Sequence, residues 1–153
     1  MKKKFVGLLF TVAAVAVASY TVYKTGGERL ALLDEKVETI KVSKSAGLGQ
    51  IPEDHELTIE EEEQIAVIEA VLRNARLQMG ELPESTPDYD LLVEYEEGFP
   101  AHPLHLWMGQ EGEEATLTYT VEYGDVYKLS AKDADEIRKL IQEESDEVSN
   151  SSI

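Results

Sequence analysis

Apolar and polar residues alternate along Val37-Glu38-Thr39-Ile40-Lys41-Val42-Ser43, a β-branched run of period two that predicts a first strand. The period then changes. Between Thr58 and Met79 the apolar positions Ile65, Ile68, Leu72, Ala75 and Met79 recur at spacings of three and four, and Val67 and Val71 widen the stripe. This predicts a helix over 58–79. Thr58 and Glu61 have the spacing of a capping box, and Glu60 to Glu63 place negative charge at the positive end of the helix dipole. Arg73 and Arg76 suit the other end, and Gly80 and Pro83 stop the helix. Period two returns at Asp88–Tyr95, with Tyr89, Leu91, Val93 and Tyr95 on one face. It recurs at Leu104–Met108, at Ala115–Val121 with Thr116, Thr118 and Thr120 on the second face, and briefly at Val126–Leu129. Turn residues separate these runs, as in an antiparallel meander. Ser130, with Asp133 three residues on, caps a last helix whose stripe is Ala134, Ile137, Leu140 and Ile141. The order β-α-β-β-β-β-α predicts an α+β fold, an antiparallel sheet of four to five strands with two helices on one face.

One stretch has no polar face at all. Phe5 to Tyr23 is nineteen residues without a charge, preceded by Lys2, Lys3 and Lys4 and followed by Lys24 alone. At about 1.5 Å per residue it spans roughly 28 Å, close to the hydrocarbon thickness of a bilayer. The lysine asymmetry puts the N-terminus in the cytoplasm and the remainder outside. Two readings follow for residues 1–24. One is a secretory signal cleaved near Ala18, at the small-residue site Ala16-Val17-Ala18. The other is a single-pass anchor through residues 5–23, favoured because the apolar run continues past that site to Tyr20 and Tyr23, aromatic residues suited to the outer interface. Residues 25–36 then read as a tether and 45–56, with Gly47, Gly49 and Pro52, as a loop. Residues 37–142 read as the folded domain and the acidic, serine-rich 143–153 as a disordered tail.

Charge and cysteine content narrow the chemistry. All thirty-one acidic side chains lie beyond Lys24 with only ten basic ones, a formal charge of −21 over residues 25–153. Such a domain repels nucleic acid and anionic lipid headgroups, and the charge chiefly supports solubility. The chain has no cysteine, which removes disulfides, thiol catalysis, thiolate metal sites and lipid attachment through an N-terminal cysteine.

The helix rich in Glu and Ile is followed by Pro87-Asp88-Tyr89-Asp90-Leu91, a hairpin ending His105-Leu106-Trp107, and Tyr127-Lys128-Leu129-Ser130 opening the last helix. This pattern over residues 37–142 resembles the YhfM-like domain, a small extracytoplasmic domain of short exported proteins and lipoproteins of spore-forming Gram-positive bacteria. The resemblance implies an envelope location and carries over no catalytic residue. The chain departs from the lipoprotein members in lacking the lipid-bearing cysteine, which favours attachment through the apolar segment.

Among candidate chemistries, His102, His105 and His55 are the imidazoles available to a metal. Residues three apart on a strand point to opposite faces, so His102 and His105 do not converge, and no metal site or cofactor is expected. No calcium loop, phosphate loop, dinucleotide fingerprint or Gly-x-Ser-x-Gly is present. Ser130 reads as a cap rather than a nucleophile. Aromatic residues cluster in the strands, and Trp107 falls on the face opposite Leu104 and Leu106. If that face is open, Trp107 with Tyr95, Phe99 and His105 forms a binding patch for an envelope protein or peptide. The leading expectation is therefore a non-catalytic binding or accessory domain of the cell envelope. The alternative is a hydrolase with a histidine and carboxylate site, which needs a concave pocket holding His105 beside a buried acid.

Overall fold

The structure, a computed structural model, describes residues 28–121 and 124–151; the apolar segment 5–23 lies outside them. Among the described residues no helix is long and apolar enough to cross a membrane. The strands are β1 (Val37–Lys44), β2 (Leu57–Ile59), β3 (Arg76–Gln78), β4 (Tyr89–Tyr95), β5 (His102–Trp107), β6 (Ala115–Tyr119) and β7 (Val126–Leu129). The helices are α1 (Glu62–Asn74) and α2 (Ala131–Ser151). All strands pair antiparallel in one sheet of order β2-β1-β4-β5-β6-β7-β3. The α+β class and the meander β4-β5-β6-β7 are as the pattern predicts, but the sheet has seven strands rather than four or five.

The two additional strands come from the ends of the predicted helix. Thr58 is not a cap: it sits in β2 opposite Lys41, between Leu57 and Ile59, which both face the core. Alternate burial of two large aliphatic side chains selects the extended form there. Helix α1 starts four residues later, at an N-cap, Glu61, whose side chain makes no capping bond. Its acidic first turn, Glu62 and Glu63, still complements the dipole. At the other end Ala75 leaves the helix at φ −57°, ψ 131°, and Arg76–Gln78 pairs with Val126–Lys128 of β7.

Both helices pack against the same face of the sheet. Ile65, Ile68, Val71 and Leu72 from α1 and Ala134, Ile137 and Ile141 from α2 join Ile40, Val42, Leu91, Val93, Leu104, Leu106, Leu117 and Leu129 in one core. Helix α2 begins as predicted, with the Asp133 N–H donating to Ser130 Oγ. It runs on through Ser151, so residues 143–151 are helical where the composition predicts a disordered tail. No glycine or proline interrupts that stretch, Gln64 of α1 bonds Glu144 at 2.6 Å, and Lys139 faces Glu143 one turn on.

The predicted tether is docked. Leu30 N–H donates to Ala75 O, Leu77 N–H donates to Glu28 O, and Arg29 lies opposite Arg76. Residues 28–30 thus lie along the free edge of β3, and Leu30 and Leu32 are buried in the core. Unpaired strand edges are costly and prone to foreign pairing, and this strip covers one.

Candidate functional site

The sheet face away from the helices carries a row of short polar residues. Ser43 of β1 lies opposite Asp90 of β4, Asp90 opposite His105 of β5, and His105 opposite Thr118 of β6. All four are buried. The covering element at Ser43, Asp90 and His105 is the loop after β1, which turns at Gly47 and Gly49 through φ of 112° and 75°, a region where a Cβ is strained.

Hydrogen bonding fixes the protonation pattern of this row. Gly49 N–H donates to His105 Nε2 at 3.0 Å. That nitrogen is therefore an acceptor, the proton sits on Nδ1, and Nδ1–H donates to Asp90 Oδ1 at 2.6 Å. The second oxygen of Asp90 accepts Ala46 N–H at 3.2 Å. One imidazole and one carboxylate thus each bind one backbone amide of the loop and pin it to the sheet. A His–Asp pair is also the orienting half of a hydrolytic triad. Here the nitrogen that would act as base is occupied by Gly49, His105 has no exposed surface, and neither of the two large grooves described below reaches it.

Ser43 and His55 form a second pair, with Oγ and Nδ1 2.8 Å apart and Asp54 O 3.3 Å from the same hydroxyl. Both bonds form together when His55 Nδ1–H donates to Ser43 Oγ and the hydroxyl donates to Asp54 O. That is the reverse of the polarity a serine nucleophile requires.

The four residues singled out as a recognition patch do not share a surface. Trp107 does lie opposite Leu104 and Leu106, but it is only 5% exposed, because the loop after β3 closes over it and its Nε1–H donates to Ser85 O at 2.8 Å. Tyr95 is buried on the helix side, and His105 is buried under the loop after β1. Only Phe99 is open, at 39%. His102 and His105 lie on opposite faces, as strand geometry requires. Among the described residues no group of three His, Asp or Glu side chains is arranged to hold a metal ion.

Sequence reasoning missed a second cluster, which clamps the docked strip. Tyr95 Oη accepts Leu33 N–H at 3.3 Å and is hydrogen-bonded to His102 Nδ1 at 2.7 Å. Burial holds the pKa of His102 below the ordinary histidine range. Tyr119 donates to Ala31 O, and burial pushes its phenol up to about 12, with the neighbouring Tyr127 adding to the effect. Arg73, oriented by Glu69, donates to Leu33 O at 2.7 Å. The sequence signal for this strip was the alternation of Leu30 and Leu32, too short to stand out beside the long runs.

Two open grooves complete the surface. One, of about 560 Å³, is lined in part by Lys44, Asp88, Met108 and Arg138. Its arginine is committed to Asp135 and to the carbonyls of Met108, Gly109 and Gln110. The other, of about 490 Å³, is mainly apolar and lined by Ala31, Pro100, Ala101, His102, Tyr119 and Val121 among others.

No curated protein and no solved structure matches the chain. Among protein families, the one described as YhfM protein matches residues 34–147, from the end of the clamped strip to the last turns of α2. That match spans the whole sheet and both helices, and the chain belongs to the YhfM family.

Proposed function

We propose that this chain is a non-catalytic accessory or binding domain of the cell envelope, held outside the cytoplasm by residues 5–23. The observation that carries the non-catalytic reading is the use of its reactive side chains. His55, His102, His105, Asp90 and Ser43 are all engaged in bonds that hold loops and strips in place. A catalytic base needs a free nitrogen within reach of substrate, and His105 spends both of its nitrogens on the fold. The envelope location is supported by the lysine-flanked apolar segment.

The alternative, an envelope hydrolase, has one observation in its favour, the Asp90–His105 pair at 2.6 Å. Against it, neither of the two large grooves reaches the histidine.

The test is protease treatment of intact cells carrying the full chain, followed by N-terminal sequencing of the membrane-bound product. The expected result is digestion of the domain from outside, with Lys2 to Lys4 retained. A chain found in the soluble cytosolic extract and shielded from external protease overturns the proposal. A full-length chain purified from membranes that hydrolyses ester or amide substrates, and loses this on His105→Gln, overturns the non-catalytic reading.

A further inference from the structure

The end of the sheet at which the described chain begins also carries the two most exposed large apolar side chains among the described residues, Met79 and Val121. Strand register defines that end. Gln78 pairs with Val126, Leu104 with Tyr119, Val93 with His102, and Val37 with Tyr95. The end of β3, the start of β7, the end of β6, the start of β5, the end of β4 and the start of β1 therefore meet there. Antiparallel pairing of Arg29 with Arg76, with Leu77 N–H on Glu28 O, places Glu28, the first described residue, towards this same end. Met79, directly after β3, is 81% exposed, and Val121, two residues after β6, is 73% exposed. Phe99, in the β4–β5 turn, is also open, and between it and Val121 runs the apolar groove of Pro100, Ala101, His102 and Tyr119. Methionine, valine and phenylalanine thus face solvent at one end of a domain of charge −21, with the apolar groove between two of them.

Chain length identifies the occupant. Four residues, Lys24 to Gly27, separate the last residue of the apolar segment, Tyr23, from the docked Glu28. Fully extended, they reach about 14 Å. The headgroup layer on each side of a bilayer is itself roughly 5–8 Å deep. Because Tyr95, Tyr119 and Arg73 clamp residues 31–33, the tether has no further slack to release. Resting on the membrane-anchored reading above, we propose that the rim formed by Met79, Phe99 and Val121 sits in the headgroup layer of the bilayer that holds residues 5–23. Three side chains are too few to recruit a free, acidic domain to lipid. A short tether raises the effective concentration to the millimolar range, on the order of that for short linkers, and weak apolar contacts then suffice.

The chain has no cysteine, so single cysteines report position without background. The full chain is reconstituted in vesicles of phosphatidylcholine with a minority of phosphatidylglycerol. It carries an environment-sensitive fluorophore at Met79→Cys, Phe99→Cys or Val121→Cys, or at Leu48→Cys, in the loop over the sheet face, or Glu111→Cys, in the turn at the opposite end of the sheet. Circular dichroism and melting curves check that each variant folds. The expected result is several-fold stronger quenching of the three rim labels than of the Leu48 and Glu111 labels by lipid-borne quenchers, and the reverse order with a water-soluble quencher. If the chain floats with vesicles but rim and distal labels respond alike, the rim proposal is overturned and the anchor stands. If the chain does not float with vesicles, the anchored reading falls and the rim proposal with it.

Discussion

His105 shows how a residue that suggests chemistry becomes a structural pin. It lies fully buried between an acid and a backbone amide, and its tautomer is dictated by both. Removing the acid leaves three donors without a partner: the imidazole Nδ1–H, and, once the loop shifts, the amides of Ala46 and Gly49. Asp90→Ala is therefore expected to cost about 3 kcal/mol of stability, since it strands buried donors. Hydrogen exchange at Ala46 and Gly49 is expected to accelerate more than exchange in the strands. Unchanged melting and exchange would show that the pair does not hold the loop. The phenols make a prediction about alkaline pH. Burial raises the pKa of Tyr95, Tyr119 and Tyr127, and that of Tyr119 to about 12. The folded state retains protons that the unfolded chain releases near pH 10, so this stabilisation is complete below about 10 and is lost as pH rises towards 12. Ultraviolet titration is expected to show late-ionising tyrosines, followed by cooperative unfolding, and Tyr119→Phe is expected to make stability less sensitive in that range. Ionisation of every tyrosine near pH 10 without unfolding would refute this.

At the scale of elements, the two apparent capping boxes make opposite predictions. Ser130 receives the Asp133 amide and is a working cap, whereas Thr58 stands exposed in β2, away from the start of α1. Ser130→Ala is expected to cost about 1 kcal/mol, the usual value of an N-cap. Thr58→Ala is expected to stay within about 0.5 kcal/mol, as surface substitutions do. Equal losses in denaturant melts would contradict the assignment. The docked strip supplies the next test. Leu30→Ala is expected to cost about 2–4 kcal/mol, the range for a buried leucine. A free tether would lose nothing. The same comparison marks what the sequence revealed. The meander and the start of α2 were legible because alternation over five or more residues and an explicit cap leave little choice. Strands β2 and β3 were hidden because Leu57, Ile59 and Leu77 flank a true helical stripe and extend its apparent period. Nothing local indicates that their partners are β1 and β7, the latter about fifty residues away in the chain.

For the molecule as a whole, alternation was read correctly but its second half was misjudged. A binding patch at Trp107 required the polar strand positions to form an open face, and they do not around Trp107. That face is divided: Ser43, Asp90 and His105 are buried under the loop after β1, whereas Lys41, Glu94 and Lys128 on the same side stay partly exposed. The helix-facing core was predictable from hydrophobicity alone. The loop-facing polar row depends on hydrogen bonds between residues far apart in sequence, which no periodicity records. The candidate site was correspondingly less legible than the fold, and only Phe99 of the four selected residues lies on the surface now proposed to make contact.

The strip that closes the β3 edge has a consequence for the order of assembly. Residues 28–30 are synthesised ahead of every strand, yet their docking place exists only after β3 has found β7, the last strand in the chain. The earliest segment must wait for the latest. The β4–β7 meander, built from neighbouring hairpins, is the part able to form first. The entry strip then seats last, and its arrival seals the one edge that the meander leaves open at β3.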